Sequence, residues 1–276
     1  VTRSVACVCG ILAGALAGAF PAEAGWVIDQ VVQEAGATSR QQLLFEADRM
    51  KTLVLDASGN PRVALIVDLT ARTITQVDYH ERRYVTATVA EHIQATQQAR
   101  QQGIAELGEV TKQIQRDTQD LPPSERAAIE KMLRDQMKQA AAPTPNCRTP
   151  PTELRRTGRR AVIAGYEAAG YDLLVDGKRD SEVWIAPGIT AWRELDARKL
   201  ERFSSETAQL SPCGRESRRL GGVGGLKLAG EGFAVRTVVL DGGTTQEVVN
   251  AEQRSVAAAE FEPPAGFERR PLALPH

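Results

Sequence analysis

Histidine is scarce. The 276-residue chain has three, His80, His92 and His276, and none has a second metal ligand at a fixed, short spacing. Neither a His-Glu-x-x-His nor a Gly-x-Ser-x-Gly pattern occurs, so no zinc-hydrolase helix and no nucleophile elbow is legible. Aromatic residues make up only 5%, so the core must come from Val, Leu, Ile and Ala. Neither sign of charge dominates. Lys and Arg number 34 against 35 Asp and Glu, a net charge of -1. That balance gives no electrostatic ground for a nucleic acid or an anionic membrane as main partner.

What is present begins with an export signal. Arg3 supplies a positive start, Val5 to Phe20 is apolar and uncharged, Pro21 breaks a helix, and Ala22-Glu23-Ala24 has small residues around a cleavage point. The apolar run is short for a membrane span, which needs about 20 residues. Residues 1–24 therefore read as a cleaved signal peptide, with maturation before Gly25 and a periplasmic destination. An uncleaved anchor is the alternative. Cys7 and Cys9 do not make a lipidation site, because the apolar run follows them. In the exported chain the two remaining cysteines, Cys147 and Cys213, are expected to form a disulfide. It would close a loop of about 66 residues and contribute ~4 kcal/mol.

From Leu43 to Ala87 the pattern is that of an antiparallel meander. Strands are expected over Leu43–Phe45, Lys51–Asp56, Arg62–Leu69, Thr73–Asp78 and Arg83–Thr86, after a lead-in over 25–42. Ala57-Ser58-Gly59-Asn60-Pro61 is dense in turn formers. Leu53 and Leu55 share one face of their strand, and Val63, Leu65, Val67 and Leu69 alternate along the next. Such a sheet covers one face and leaves Thr, Arg and Asp on the other.

At Thr88 the period changes to that of a helix. Val89, Ile93, Ile104, Leu107, Val110 and Ile114 form a thin stripe, Asp120-Leu121-Pro122-Pro123 ends it, and Ile129, Met132, Leu133 and Met137 form a second. Residues 88–142 thus read as a helical hairpin inserted in a β protein. Either it folds back over the open sheet face as a structural cover, or it projects as a partner-binding or ligand-gating arm.

Strands resume at Leu154–Ile163, Gly165–Val175 and Ser181–Ile185, the last two paired around Asp176-Gly177-Lys178. Arg155, Arg156, Arg159 and Arg160 follow a strand pattern, which makes them a solvated face. Trp184 is the best aromatic anchor in this half. A helix over 190–208 turns Trp192, Leu195, Leu200 and Phe203 inward. Gly221-Gly222-Val223-Gly224-Gly225 lacks the strand before and the Lys-Ser/Thr after that a phosphate loop requires, and reads as a turn. Asp241-Gly242 between apolar runs predicts a hairpin over 233–250, and a last strand is expected at Ser255–Phe261. Ser181 with Glu182, and Asp172 with Asp176, are the imaginable catalytic pairs, but carboxylates are common surface groups here. No cofactor site and no enzyme activity is read from the sequence.

Three segments carry a family resemblance: IVDLTARTITQVDYHERRYV (66–85), the stretch from Gly165-Tyr166 to Trp184, and Phe261-Glu262-Pro263-Pro264-Ala265-Gly266-Phe267. With them the chain resembles an uncharacterised exported bacterial family similar to the periplasmic lipoprotein carriers (LolA-like). The long Gln-rich hairpin and the cysteine pair depart from those carriers. The resemblance implies an α+β fold over 25–276, in which a curved antiparallel sheet, an incomplete barrel, is covered by helices on its concave side. It also implies a non-catalytic protein that takes up a lipid, a lipoprotein acyl chain or another apolar ligand there. Concave-face candidates are Leu53, Leu55, Val63, Leu65, Val67, Leu69 and Trp184. A protein-interaction module built on the 88–142 hairpin, with an envelope protein as partner, is the competing reading.

Overall fold

The computed structural model describes residues 25–118, 122–141, 151–210 and 230–272. The expected signal segment, Cys147, Cys213 and the Gly221–Gly225 run lie outside the described residues.

In chain order the strands are β1 (Gly25–Glu34), β2 (Ala37–Glu46), β3 (Arg49–Leu55), β4 (Pro61–Asp68), β5 (Thr73–Asp78) and β6 (Arg83–Thr88). Helices α1 (Val89–Asp117) and α2 (Pro123–Ala141) follow, then β7 (Thr152–Ile163), β8 (Tyr166–Val175) and β9 (Lys178–Ala186). A 3-10 turn (Ala191–Glu194) leads into α3 (Ala197–Thr207), a second 3-10 turn spans Ala208–Leu210, and β10 (Phe233–Val239) and β11 (Thr245–Arg254) complete the main sheet. A third 3-10 turn (Ala258–Phe261) and the two-residue β12 (Glu268–Arg269) close the described chain.

Among the described residues all twelve strands form one sheet, ordered β12-β6-β5-β4-β3-β2-β1-β11-β10-β9-β8-β7. Every pairing is antiparallel except β12 on β6. The sheet curves without closing, since β12 and β7 stay at opposite ends. Register slips at Asp29/Gln30, Val54/Leu55, Arg156/Arg160 and Ala234/Arg236 supply local bends. The α+β curved-sheet architecture expected from the sequence is the one observed.

Three details differ from expectation. Residues 25–42 are no lead-in: β1 and β2 sit in the middle of the sheet. Ser255–Phe261 is not a strand but an irregular strap that ends in a 3-10 turn. And the sheet is covered on both faces. The inner face holds the larger cluster, where Trp26, Ile28, Phe45, Val67, Val235 and Val248 meet Ile189, Leu195, Leu200 and Phe203. The outer face holds Val27, Leu44, Ala64, Ile66 and Val77 under Val256 and Phe261 of the strap.

The strap is fixed by charge as well as by apolar contact. Lys51 Nζ donates to the carbonyl of Glu260 at 2.8 Å, and Arg254 grips both Glu260 carboxylate oxygens at 3.0 Å. The Arg49 guanidinium lies 4.7 Å from the Phe261 ring centre.

On the inner face α3 is pinned at the β2–β3 turn. Ala47 and Asp48 both take positive φ (47° and 65°), as a tight hairpin of this kind requires. The Asp48 carboxylate accepts from the Asp196 N–H at 2.6 Å and from Lys199 Nζ at 2.5 Å, while Asp196 itself caps α3 through the Arg198 and Lys199 N–H groups. Burial works against the charged form of Asp48, but the Lys199 and Asp196 hydrogen bonds outweigh it and hold its pKa below the usual carboxylate value.

The hairpin begins at a capping box: Thr88 Oγ1 accepts from the Glu91 N–H while the Glu91 carboxylate accepts from the Thr88 N–H. Helix α1 meets α3, the Ala208–Leu210 turn and β6, and α2 packs on α1. Val89 and Leu133 are buried, whereas Val110 and Met132 are about half exposed (53% and 52%). The inner face is therefore covered by α3, the 3-10 turn before it and the start of the hairpin, whose Val89 and Ile93 join the inner cluster.

Candidate functional site: the open half of the inner face

The register of β1 to β6 sorts the inner face into three rows. The first runs Trp26, Phe45, Met50, Val67, Ile74, Ala87. The second runs Ile28, Leu43, Thr52, Leu65, Gln76, Val85, and the third Gln30, Gln41, Val54, Val63, Asp78, Arg83. Every row has its side chains on the same face because each partner pair points the same way.

Burial falls from row to row. The first row lies under α3, and its Phe45 packs against Trp192 and Phe233, the three ring centres 5.3 to 6.0 Å apart. On β4 the same apolar stripe passes from Leu69 (2% exposed) and Val67 (3%) to Leu65 (40%) and Val63 (47%). Two residues along one strand thus separate packed core from open surface. Gln76 is exposed, and Val54 and Val85 beside these two are half-buried. Toward the centre of the sheet the third row becomes polar, as Gln246 donates to Gln30 at 2.7 Å and Gln30 to Gln41 at 2.9 Å. Beyond Val63 an open cleft of about 540 Å³ is lined by Asp56, Pro61, Arg62, Val63, Asp78, Tyr79 and His80.

The sequence candidates are divided by this geometry. Val63 and Leu65 line the open half, and Val67 and Leu69 are core. Leu53 and Leu55 are not on this face: Leu53 pairs with Gln42 and Ala64 and packs into the outer cluster, and Leu55, two residues on, pairs with Arg40 and Pro61. Their strand alternates just as β4 does, but its partner register is offset by one residue, which turns its leucines outward. Gln76, Val54 and Val85 share the patch and were not candidates. Only the register, which fixes the rows, brings them together.

Trp184 packs at the far end of the inner cluster. Its ring lies over Gly170, where an added Cβ would meet it at 3.4 Å and Thr157 Oγ1 at 2.9 Å. The Arg159 guanidinium stacks 5.2 Å from the Trp184 ring centre. Beside it, Asp172 holds Arg155 at 3.1 Å and Arg179 at 2.8 Å, and Glu182 holds Arg159 at 2.9 Å and also Arg179. The Arg155 hydrogen bond, with Arg179, keeps the Asp172 pKa below the ordinary value, and Arg159 does the same for Glu182. These carboxylates are committed as anions to arginines, and Ser181 Oγ donates to Asp180. Of the four residues singled out for catalysis, Asp172, Ser181 and Glu182 therefore have structural partners. His92 has a buried Nε2, and burial lowers its pKa. Among the described residues no group of three His, Cys, Asp or Glu side chains could hold a metal ion, and no helix is long and apolar enough to cross a membrane.

Residues 121–267 match a family model described as a domain of unknown function, DUF4412. The chain belongs to that family. None of the curated proteins matches it. Among solved structures it is similar to an uncharacterised conserved protein from Thermus thermophilus, at 10% identity and a TM-score of 0.43, covering 91% of each chain. It is also similar to the MucA/MucB complex of Pseudomonas aeruginosa (9% identity, TM-score 0.37) and to MucB (10%, 0.38), covering 90% of this chain in each. The chain spans 58% and 60% of those two chains' length. Scores this low carry no function from those proteins to this one.

Proposed function

We propose that the protein is an exported, non-catalytic binding protein of the bacterial envelope, and that the open half of its inner face holds the acyl chain of a lipid or a similar apolar guest. One observation carries this: the inner apolar stripe continues out from under α3, leaving Leu65 and Val63 40% and 47% exposed on a face whose other half is core. A guest on that patch would extend the existing core and remove more apolar surface from water, at about 25 cal/mol per Å². The polar rim of Asp56, Asp78 and His80 at the adjoining cleft suits an amphipathic molecule whose head stays in water. The signal-like residues 1–24 support the envelope setting. No cofactor and no nucleic acid enters this function.

Uptake of a fluorescent fatty-acid probe tests it. The protein should raise probe emission saturably, and Leu65→Glu with Val63→Glu should abolish the rise while leaving the far-ultraviolet circular dichroism intact. No uptake by the unaltered protein would defeat the proposal.

A second reading keeps a specific observation of its own. Helix α2 packs on α1, and the pair leaves Val110 and Met132 exposed. If the hairpin were a docking arm for an envelope protein, Val110→Glu with Met132→Glu would remove the partner and spare lipid uptake.

A further inference from the structure

The first described residue, Gly25, starts β1 in the middle of the sheet, between β2 and β11. Its surroundings are tight. A Cβ at Gly25 would meet the Phe45 carbonyl oxygen at 2.4 Å, Glu46 Cβ at 3.0 Å and Val256 Cγ2 at 3.0 Å. Only glycine fits there. Glu46 stands beside it at the end of β2, 9% exposed, with its Oε2 buried and lacking a hydrogen-bond partner among the described residues.

A buried carboxylate oxygen without a partner costs free energy comparable to a lost charged hydrogen bond. The cations around it are engaged elsewhere. Arg49, opposite Glu46 in the β2–β3 register, stacks on Phe261; Lys51 donates to the Glu260 carbonyl; Arg254 binds Glu260 and Glu252. The neighbouring carboxylate Glu260 is itself held by Arg254.

We infer that proteolytic release at Ala24–Gly25 creates the missing partner: the new α-ammonium of Gly25 pairs with the Glu46 carboxylate at the head of β1. A signal peptidase adds water across the Ala24–Gly25 amide, leaving a carboxylate on Ala24 and an ammonium on Gly25. The positive charge then appears at the strand end that touches Glu46. Maturation and folding are coupled, because the ion pair does not exist while residue 24 is attached as an amide. The small residues that a leader peptidase needs, Ala22 and Ala24, thus precede a glycine that the fold itself requires.

Two measurements test this. The intact mass of the protein exported by a bacterial host should correspond to a chain starting at Gly25; a different start, or a retained leader, overturns the inference. Thermal unfolding at pH 6.5 then compares the Gly25-start chain with its Nα-acetylated form, each with Glu46 and with Glu46→Gln. Acetylation should lower Tm by roughly 4 °C with Glu46 and by under about 1 °C with Gln. A raised folded-state pKa of the ammonium makes its contribution complete below the unfolded value of about 8 and lost as pH rises through the folded one. The acetylation effect should accordingly fade in alkaline buffer. An equal loss with Glu46 and Gln, or a pH-independent one, would overturn the pairing, and would leave the lipid-binding proposal untouched.

Discussion

Val63 and Val67 offer a controlled comparison: the same residue type, on one strand and one face, four positions apart, at 47% and 3% exposure. Valine to threonine keeps shape and exchanges a methyl for a hydroxyl. At Val67 that hydroxyl enters a cluster of Phe45, Met50, Ile74 and Leu69 in which the strand backbone groups are already paired. An unsatisfied buried hydroxyl costs about 1–3 kcal/mol, or roughly 3–9 °C in Tm for a chain of this size. At Val63 the hydroxyl remains in water, so Val63→Thr should stay within about 0.5 kcal/mol, under roughly 2 °C. Differential scanning calorimetry of lipid-free protein reads both. If Val63→Thr lowered Tm as far as Val67→Thr, the open half would be filled by protein and the division of the inner face would be wrong.

Asp48 should give stability a pH dependence. Its folded pKa is depressed, so its contribution is complete above the unfolded value of about 3.9 and vanishes as pH falls through the folded value. Asp48→Asn should therefore lower the urea midpoint more at pH 7 than at pH 2.5; an equal loss at both would show that the carboxylate's charge is irrelevant. Phe261, 6% exposed under the Arg49 guanidinium, anchors the strap on the outer face. Phe261→Ala should cost about 3–5 kcal/mol, read as a shifted denaturation midpoint, and a loss below about 1 kcal/mol would mean that the strap is dispensable.

The sequence was informative where local chemistry decides. The turn at Ala57–Pro61 and the alternation along β4 made the meander legible, and the change of period at Thr88 marked the hairpin to within a residue of α1. Residues 29–42 hid two central strands because their inward positions include Gln30 and Gln41. Those side chains satisfy one another in a glutamine ladder, and so they break the apolar alternation that identifies a strand. The site was legible only in part. Val63, Leu65, Val67 and Leu69 read as one stripe, and nothing local to β4 reveals that α3, more than a hundred residues later, covers only half of it. The outward turn of Leu53 and Leu55 depends on pairing register, which alternation along a single strand does not contain.

The central claim is most directly tested by native mass spectrometry of protein purified from a bacterial envelope without detergent. The account predicts a population carrying one lipid-sized adduct, released on activation, and absent from the Leu65→Glu, Val63→Glu double variant. Bare protein in every preparation, or an adduct that survives the double variant, would contradict it.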